Sequence, residues 1–237
     1  MRVADWITRC LAEQRRAEDE IGGDELRPIV LAQLHAVARL LPNASYDTAD
    51  RLLLLAAEHA HWLSWVSWQY DRRGAALTWL DLAAGWAADG GHTDMTAWIG
   101  RMRAYYTLVR QDPHRALRVV EQTRIASPDV SPATVAAIAH QEAIAAAAIG
   151  ARDRARRLVD EAQQAAAQAP NVEDRPGWLY WLTPVRSEVQ AAEAAYTLRD
   201  WSDSVTRFRA SLPGLLVEYP RDHAYYSRQL EDATRRV

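Results

Sequence analysis

Two histidines and four tryptophans lie close together in the first third of the chain, where they could bind a metal ion or an aromatic ligand. Segment 58–82, EHAHWLSWVSWQYDRRGAALTWLDL, places His59 and His61 two residues apart on a predicted helix. A zinc-binding helix instead spaces its histidines four residues apart, because both imidazoles then lie on one face. We therefore expect no metal here, and the aromatic side chains remain the stronger indication of a binding surface.

Other side chains that commonly carry catalysis form no recognisable pattern. The sequence has no phosphate-binding glycine loop, nucleophile elbow, dinucleotide-binding fingerprint or calcium-binding loop. Cys10 is the single cysteine, which excludes an internal disulfide, and its amphipathic segment predicts packing rather than reactivity. No carboxylate pair has an evident reason for raised pKa values. The sequence thus predicts neither a cofactor nor an enzyme; an enzyme of secondary metabolism that uses the aromatic cleft is the least favoured alternative.

Composition and charge exclude several classes of partner. The 237 residues carry a net charge of −3 with a pI near 6.2, which favours neither nucleic acid nor an anionic membrane. The basic clusters Arg72–Arg73 and 152–157 (RDRARR) have acidic neighbours and indicate solvated helix faces, so we expect no direct DNA binding. The first residues lack the apolar core of a signal peptide, and no run approaches eighteen apolar residues. We expect a cytoplasmic protein without membrane contact.

Helical periodicity dominates the sequence, and alternating strand patterns are absent. Segments 3–21, 25–41 and roughly 48–70 have apolar residues at helical spacing. Ser131 and Pro132 are typical of a helix start, and Gly150 is typical of a helix end. The non-periodic segment 169–177 predicts a long loop inside one array. The sequence therefore predicts an all-α fold.

Small residues recur at a spacing typical of repeated helical hairpins. The second helix of each predicted pair has one at 76, 116, 155 and 204, which gives spacings of 40, 39 and 49 residues. The positions twelve residues earlier and seven residues later are also small in every copy, as in tetratricopeptide repeats, where two helices cross closely. We predict one α-solenoid domain over 1–237, with a helical pair at 1–46 and about four degenerate hairpins at 47–237. The small residues are Ser64, Ala76, Ala83, Ala104, Ala116, Thr123, Ala143, Ala155, Ala162, Ala192, Ser204 and Ser211.

Tetratricopeptide geometry predicts a concave groove lined by the first helix of each pair. His61, Arg101 and His140 share one offset in three successive copies, so we expect a row along the groove that holds a carboxylate or phosphate beside aromatic side chains. Core packing is the favoured alternative for Trp65 and Trp68, and a merely solvated face stays open for the row. The predicted groove residues are Glu58, His61, Trp65, Trp68, Trp98, Arg101, Tyr105, His140, Ile144, Arg186, Glu193 and Tyr196.

Several segments resemble a known family over nearly the whole chain. Residues 15–23 (RRAEDEIGG) with 26–30 (LRPIV), residues 56–76, and the segments PGWLYWL (176–182) and PRDHAYY (220–226) carry the likeness. They are similar to the tetratricopeptide region of actinobacterial helix-turn-helix regulators of the xenobiotic-response-element type. The resemblance implies a regulatory binding domain. Such regulators begin with a DNA-binding domain, whereas this chain starts at the linker, so we expect an excised sensor region or a stand-alone relative.

The resemblance implies a partner protein, a peptide or a small-molecule effector as the ligand. Occupancy would shift the curvature of the solenoid and so change homodimerisation or contact with a partner. The alternative is a stand-alone scaffold whose groove grips the tail of one partner protein.

Overall fold

A computed structural model of the protein describes residues 2–169, 171 and 175–237. Within these residues the chain forms eleven α-helices and no β-strand, which confirms the predicted all-α class. In the loop predicted at 169–177, Pro170 and residues 172–174 lie outside the described residues. The helices are α1 (Arg2–Ile21), α2 (Arg27–Leu40), α3 (Tyr46–Gln69), α4 (Arg73–Asp89), α5 (Thr93–Val109), α6 (Pro113–Ala126), α7 (Pro132–Ala148), α8 (Arg152–Gln168), α9 (Pro184–Thr197), α10 (Trp201–Glu218) and α11 (Pro220–Thr234), with short 3-10 helices at Leu41–Asn43 and Gly177–Leu179.

Several helices begin with a capping side chain followed by proline. Asp112, Ser131 and Thr183 each accept a hydrogen bond from the backbone N–H three residues later, at 3.1, 3.4 and 3.2 Å. A proline follows each of them, and its missing N–H is harmless in the first helical turn. The cap predicted at Ser131 is thereby confirmed.

The structure divides into two compact units, Met1–Ile99 and Gly100–Val237, with the boundary inside α5. In the first unit, α1 and α2 both pack against α3, and α3 pairs with α4. Ile7 and Leu11 of α1 meet Val30 and Leu34 of α2 in one apolar core. Trp62 lies in this core with 2% of its surface exposed, so this tryptophan is part of the packing of the first unit.

In the second unit, α7 is surrounded by other helices. It contacts α6, α8 and α9, and thirteen of its 17 residues are buried. Its alanine-rich sequence makes this possible, because small side chains let neighbouring helices approach on several faces. α9 pairs with α10, contacts α7 on one side and contacts α11 on another.

The predicted small residues lie where helices pack closely. Eleven of the twelve are at most 4% exposed, and only Thr123 is half-buried. Thr123 faces Gly100 of α5: a Cβ added to Gly100 would lie 2.3 Å from the Thr123 Oγ1, so a larger residue at 100 would force the Thr123 side chain or the helices to shift. The pattern therefore marks helix contacts.

The same backbone turn joins the two helices in each predicted hairpin. Asp71, Gln111, Gly150 and Arg199 have φ angles of 56°, 65°, 77° and 58°, in the left-handed region. In every turn the next backbone N–H donates to the carbonyl five residues earlier, at 2.8 to 3.3 Å. These residues are spaced by 40, 39 and 49, as the small residues are. The turns therefore recur at the spacing of the small residues, and Gly91, between α4 and α5, has the same geometry with a φ angle of 65°.

Candidate functional site

Two predicted groove residues of the first unit contact each other. Trp98 Nε1 donates a hydrogen bond of 2.8 Å to His61 Nε2, and the two rings meet edge to face with centroids 5.5 Å apart. Both side chains are buried. α3 positions the histidine and the start of α5 positions the tryptophan, so the pair ties successive first helices together.

Glu58 and His59 are also committed to contacts inside the first unit. The Glu58 carboxylate forms an ion pair of 2.8 Å with Arg15 of α1, and both side chains are less than 10% exposed. His59 Nδ1 lies 2.6 Å from the carbonyl oxygen of Leu55, and burial lowers the pKa of His59 to about 4. The imidazole is therefore neutral at pH 7. Among the described residues, no group of three or more histidine, cysteine, aspartate or glutamate side chains could hold a metal ion.

Trp65 and Trp68 are half-buried, which leaves part of each indole accessible. Trp65 packs against the core formed by α1, α2 and α3. The guanidinium of Arg73 lies 5.6 Å from the centroid of the Trp68 ring, within cation–π range. Both tryptophans thus take part in packing, and each keeps some surface for a ligand.

The three predicted groove residues of α9 all contact α11. Arg186 forms an ion pair with Asp222. Glu193 accepts a hydrogen bond of 3.2 Å from the Tyr226 hydroxyl, and the Tyr196 hydroxyl donates one of 2.8 Å to Asp232. These contacts follow each other along both helices, so the predicted face of α9 is a helix-to-helix contact surface.

Arg186 lies among aromatic rings. Its guanidinium carbon is 5.7 Å from the centroid of Trp181, 5.4 Å from that of Tyr219 and 5.7 Å from that of Tyr226. Cation–π attraction to rings at this distance strengthens when water is excluded. Only 16% of the Arg186 side chain is exposed, so the rings and Asp222 hold the guanidinium in one position.

Arg101 brings a second guanidinium to the same region of the second unit. Arg101 is only 9% exposed. Its guanidinium carbon lies 5.5 Å from the centroid of the Tyr105 ring, and its Nη1 lies 3.2 Å from the sulfur of Met102. Burial lowers the pKa of Arg101, and the charge of Glu193 opposes this shift. Burial raises the pKa of Glu193, while the Tyr226 hydrogen bond and the charges of Arg186 and Arg101 act in the opposite direction. Arg101, Arg186 and Glu193 thus form one electrostatic group, which we call the arginine–glutamate cluster.

His140 is buried beside this cluster but adds no positive charge to it. Its Nε2 lies 3.0 Å from the Ser187 hydroxyl oxygen of α9, and the residue is fully buried. Burial, with a contribution from the Arg101 charge, lowers the pKa of His140 to about 3. Of the two predicted row residues in the second unit, only Arg101 is therefore charged, and Arg186 adds a second positive charge to the cluster. Ile144, one turn further along α7, is half-buried.

The basic cluster 152–157 forms ion pairs between helices. Arg152 and Arg156 both contact the Asp200 carboxylate, at 3.2 and 2.8 Å. Arg154 and Arg124 share the buried carboxylate of Glu142, at 2.6 and 2.7 Å. These arginines are half-exposed, which agrees with the solvated face expected from the sequence. Their ion pairs with Glu142 also link α6, α7 and α8.

Sequence reasoning missed the contribution of α11 to the site. Asp222 and Tyr226 lie in PRDHAYY, which served only as a family likeness. Tyr225, next to them, is 49% exposed, and burial of the remainder with the Glu193 charge raises its pKa to about 12. The available signal was the density of charged and aromatic residues in this segment, PRDHAYY.

No helix among the described residues is both long and apolar enough to cross a membrane. Cys10 is half-buried on α1. A small cavity of the second unit lies between α8, α9 and α10, against Ala155, Ala191 and Asp200, and no residue of the arginine–glutamate cluster lines it.

Comparison with protein-family models gives no match for this chain, and comparison with curated proteins gives none either.

Proposed function

We propose that this protein is a tetratricopeptide-type regulatory binding domain whose first helices hold an anionic peptide or protein segment. The arginine–glutamate cluster supports the proposal best. Two guanidinium groups held by rigid helices beside a carboxylate and several tyrosine rings are unusual in a helical core, where charged groups are rarely buried.

The chemistry of the cluster suits a carboxylate ligand. Guanidinium groups donate paired hydrogen bonds to a carboxylate, and such bonds strengthen in buried surroundings. Burial disfavours the charged form of Arg101, so an incoming anion would offset that penalty. Aromatic rings at Tyr105 and Tyr225 would supply contact area beside the charge. The half-exposed Tyr225 gives a ligand a point of access.

The regulatory part of the proposal rests on the family resemblance. As a sensor region of a transcriptional regulator, the domain would work in the cytoplasm and would pass ligand occupancy on through contact with a partner or a second copy. DNA binding would belong to another part of the system, because the arginines of α8 are already engaged with carboxylates.

A peptide-binding experiment tests the proposal. An array of peptides with free carboxyl termini and acidic side chains, beside amidated and neutral versions, is probed with the wild-type protein. Binders are then measured against Arg101→Met, which keeps an unbranched side chain of similar character to the arginine stem and removes the guanidinium charge. Arg118→Ala, an exposed arginine on α6, is the matched control. We expect Arg101→Met to weaken binding at least tenfold and the control to bind as the wild type does.

Two results would count against the proposal. If confirmed binders kept their affinity for Arg101→Met, the cluster would not be the binding site. If no peptide bound above the neutral background, the protein would not be an acidic-peptide receptor. Circular dichroism on each variant shows that a loss of binding is not a loss of fold.

A further inference from the structure

The charges of the arginine–glutamate cluster and of the neighbouring Asp222 cancel when every side chain is ionised. Arg101 and Arg186 carry two positive charges, and Glu193 and Asp222 carry two negative ones. An unmatched charge is costly where protein largely replaces water, as it does around Arg101 and Arg186. A carboxylate that binds here therefore leaves one negative charge unmatched unless a proton enters with it.

Glu193 is the group of the cluster that can take up such a proton. Burial raises the pKa of Glu193, while the Tyr226 hydrogen bond of 3.2 Å and the charges of Arg186 and Arg101 act in the opposite direction. Its ionised form thus depends on those positive charges. Glu193 is half-buried, so part of it remains accessible to solvent protons. The charged and titratable groups that act on Glu193 are Arg101 and Tyr105 of α5, Arg186 of α9, and Asp222, Tyr225 and Tyr226 of α11.

The other groups around the cluster are less suited to take up a proton near pH 7. Guanidinium groups stay protonated in proteins. Burial raises the pKa of Tyr226, and it raises that of Tyr225 to about 12, so these tyrosines already hold their protons. His140 of α7 is neutral, because its pKa falls to about 3. The side chain of Asp222 is 41% exposed, so Glu193 is the more enclosed of the two carboxylates.

An anion beside Arg101 changes the balance that keeps Glu193 ionised. The anion offsets part of the positive charge that acts on the Glu193 carboxylate, and it adds a like charge nearby. Both effects raise the pKa of a carboxyl group. A group whose pKa rises on binding takes up protons, and by the same linkage the anion binds more tightly where that group is protonated.

We propose that the arginine–glutamate cluster takes up a proton together with each carboxylate that it binds, and that Glu193 accepts this proton. The proton comes from solvent and bonds to one carboxylate oxygen of Glu193, while the second oxygen still accepts from the Tyr226 hydroxyl. The affinity for a carboxylate is then highest below the pKa of Glu193 in the free protein. It falls as the pH rises, until the pH exceeds the higher pKa of Glu193 in the complex. This inference rests on the proposed function, because it describes how the same site accommodates the charge of its ligand.

Proton uptake on binding tests this inference on the full chain. The probe is benzoate, a carboxylate with one aromatic ring, and benzamide is its neutral counterpart. Calorimetry measures the affinity between about pH 5.5 and 8, where carboxyl groups with ordinary pKa values near 4 stay ionised. A pH-stat counts the protons taken up for each benzoate bound. We expect the wild type to take up most of one proton at some pH in this range, with an affinity that increases by up to about tenfold per pH unit as the pH falls.

Glu193→Gln removes the proton acceptor and keeps an oxygen that accepts from Tyr226. We expect this variant to bind benzoate without proton uptake, with an affinity that does not change with pH and is about tenfold higher than that of the wild type at pH 8. Histidine is the side chain that ordinarily changes charge between pH 5 and 8, and His223 is the histidine of α11. His223→Gln is therefore the control, and its proton uptake should match that of the wild type.

Three results overturn the inference: no proton uptake by the wild type, the same uptake by Glu193→Gln as by the wild type, or no benzoate binding by either protein. The first needs no variant, and circular dichroism shows that Glu193→Gln is folded. The proposed function fails separately. If Arg101→Met kept its affinity for acidic peptides, the cluster would not be the binding site. If Arg101→Met bound them weakly and the wild type took up no proton, the binding site would stand and only the role of Glu193 would be refuted.

Discussion

The Trp98 Nε1–H donates to His61 Nε2 at 2.8 Å, and this bond assigns the two imidazole nitrogens different roles. The acceptor nitrogen carries no proton, so the imidazole is held in one tautomer. The sequence placed both residues on the groove side of successive first helices. Their direct contact makes the pair a bond between those helices.

Trp98→Phe tests the energetic role of this bond. Phenylalanine keeps most of the aromatic packing and removes the N–H, leaving a buried imidazole nitrogen without that donor. We expect the free energy of unfolding to fall by about 1–2 kcal/mol in urea denaturation. The control is Trp6→Phe, because Trp6 is 55% exposed. This variant should have the same free energy of unfolding as the wild type. An equal change in both variants would show that the hydrogen bond contributes nothing specific.

Buried histidines make the fold sensitive to acid. The pKa of His140 falls from 6.5 to about 3 in the folded protein, so between these values the unfolded chain binds a proton that the folded chain does not. Stability is therefore fully present above pH 6.5 and decreases as the pH drops, by at most about 1.4 kcal/mol per pH unit for this group. His59, with a pKa near 4, acts in the same direction.

His140→Gln should flatten this dependence. The amide does not titrate, so the variant loses less free energy of unfolding between pH 7 and pH 5 than the wild type, although its stability at pH 7 is lower. Urea denaturation at the two pH values measures the difference. His114→Gln, at an exposed position of α6, should leave the pH dependence unchanged. If His140→Gln lost as much free energy of unfolding between pH 7 and pH 5 as the wild type, His140 would not be the source of the acid sensitivity.

The repeated turn predicts opposite effects for two glycine exchanges. Gly150→Ala forces a Cβ into the left-handed region and should lower the free energy of unfolding by about 1 kcal/mol. Gln111→Gly removes such a Cβ from the equivalent turn and should raise stability by a few tenths to about 1 kcal/mol, the gain being reduced by the extra freedom of the unfolded chain. Thermal unfolding of both variants measures the effects. Destabilisation of similar size in both would show that the two turns are not equivalent.

Close packing of α5 on α6 predicts a strong effect at Gly100. The added methyl of Gly100→Ala meets the Thr123 side chain at 2.3 Å, and we expect a loss of about 1–3 kcal/mol. Thr123→Ala in the same chain should restore part of that loss, which a double-mutant cycle measures. Gly85 is the matched control, because a Cβ there meets nothing within 4 Å; Gly85→Ala should stabilise α4 by roughly 0.5–1 kcal/mol.

The all-α class and the close helix contacts were predictable because their signals are local. Helical periodicity and the small residues, with Ala76, Ala116 and Ala155 as the clearest, sit at positions that the structure buries. The left-handed backbone of these turns was predictable only at Gly150, since Asp71, Gln111 and Arg199 reach that region without being glycine. Backbone hydrogen bonds hold them there, and a sequence pattern does not display such bonds.

The candidate site was predictable only in part, since it depends on which side chains meet across helices. The groove predicted from tetratricopeptide geometry included Arg101, Arg186 and Glu193, and the structure brings these three residues into one electrostatic group. Nothing in the sequence indicated that Asp222 and Tyr226 of α11 would contact Arg186 and Glu193, because these contacts join residues more than thirty positions apart. The sequence also could not show that burial would leave His140 neutral.

The enclosure of α7 limits how a signal can travel through the second unit. A helix packed against α6, α8 and α9 cannot shift on its own without opening voids on several sides. A ligand near His140 would therefore have to move α7 together with the helices packed around it. Any response that starts at α7 is thus a concerted movement of several helices, and a substitution that affects α7 alone would be accommodated only at the cost of their packing.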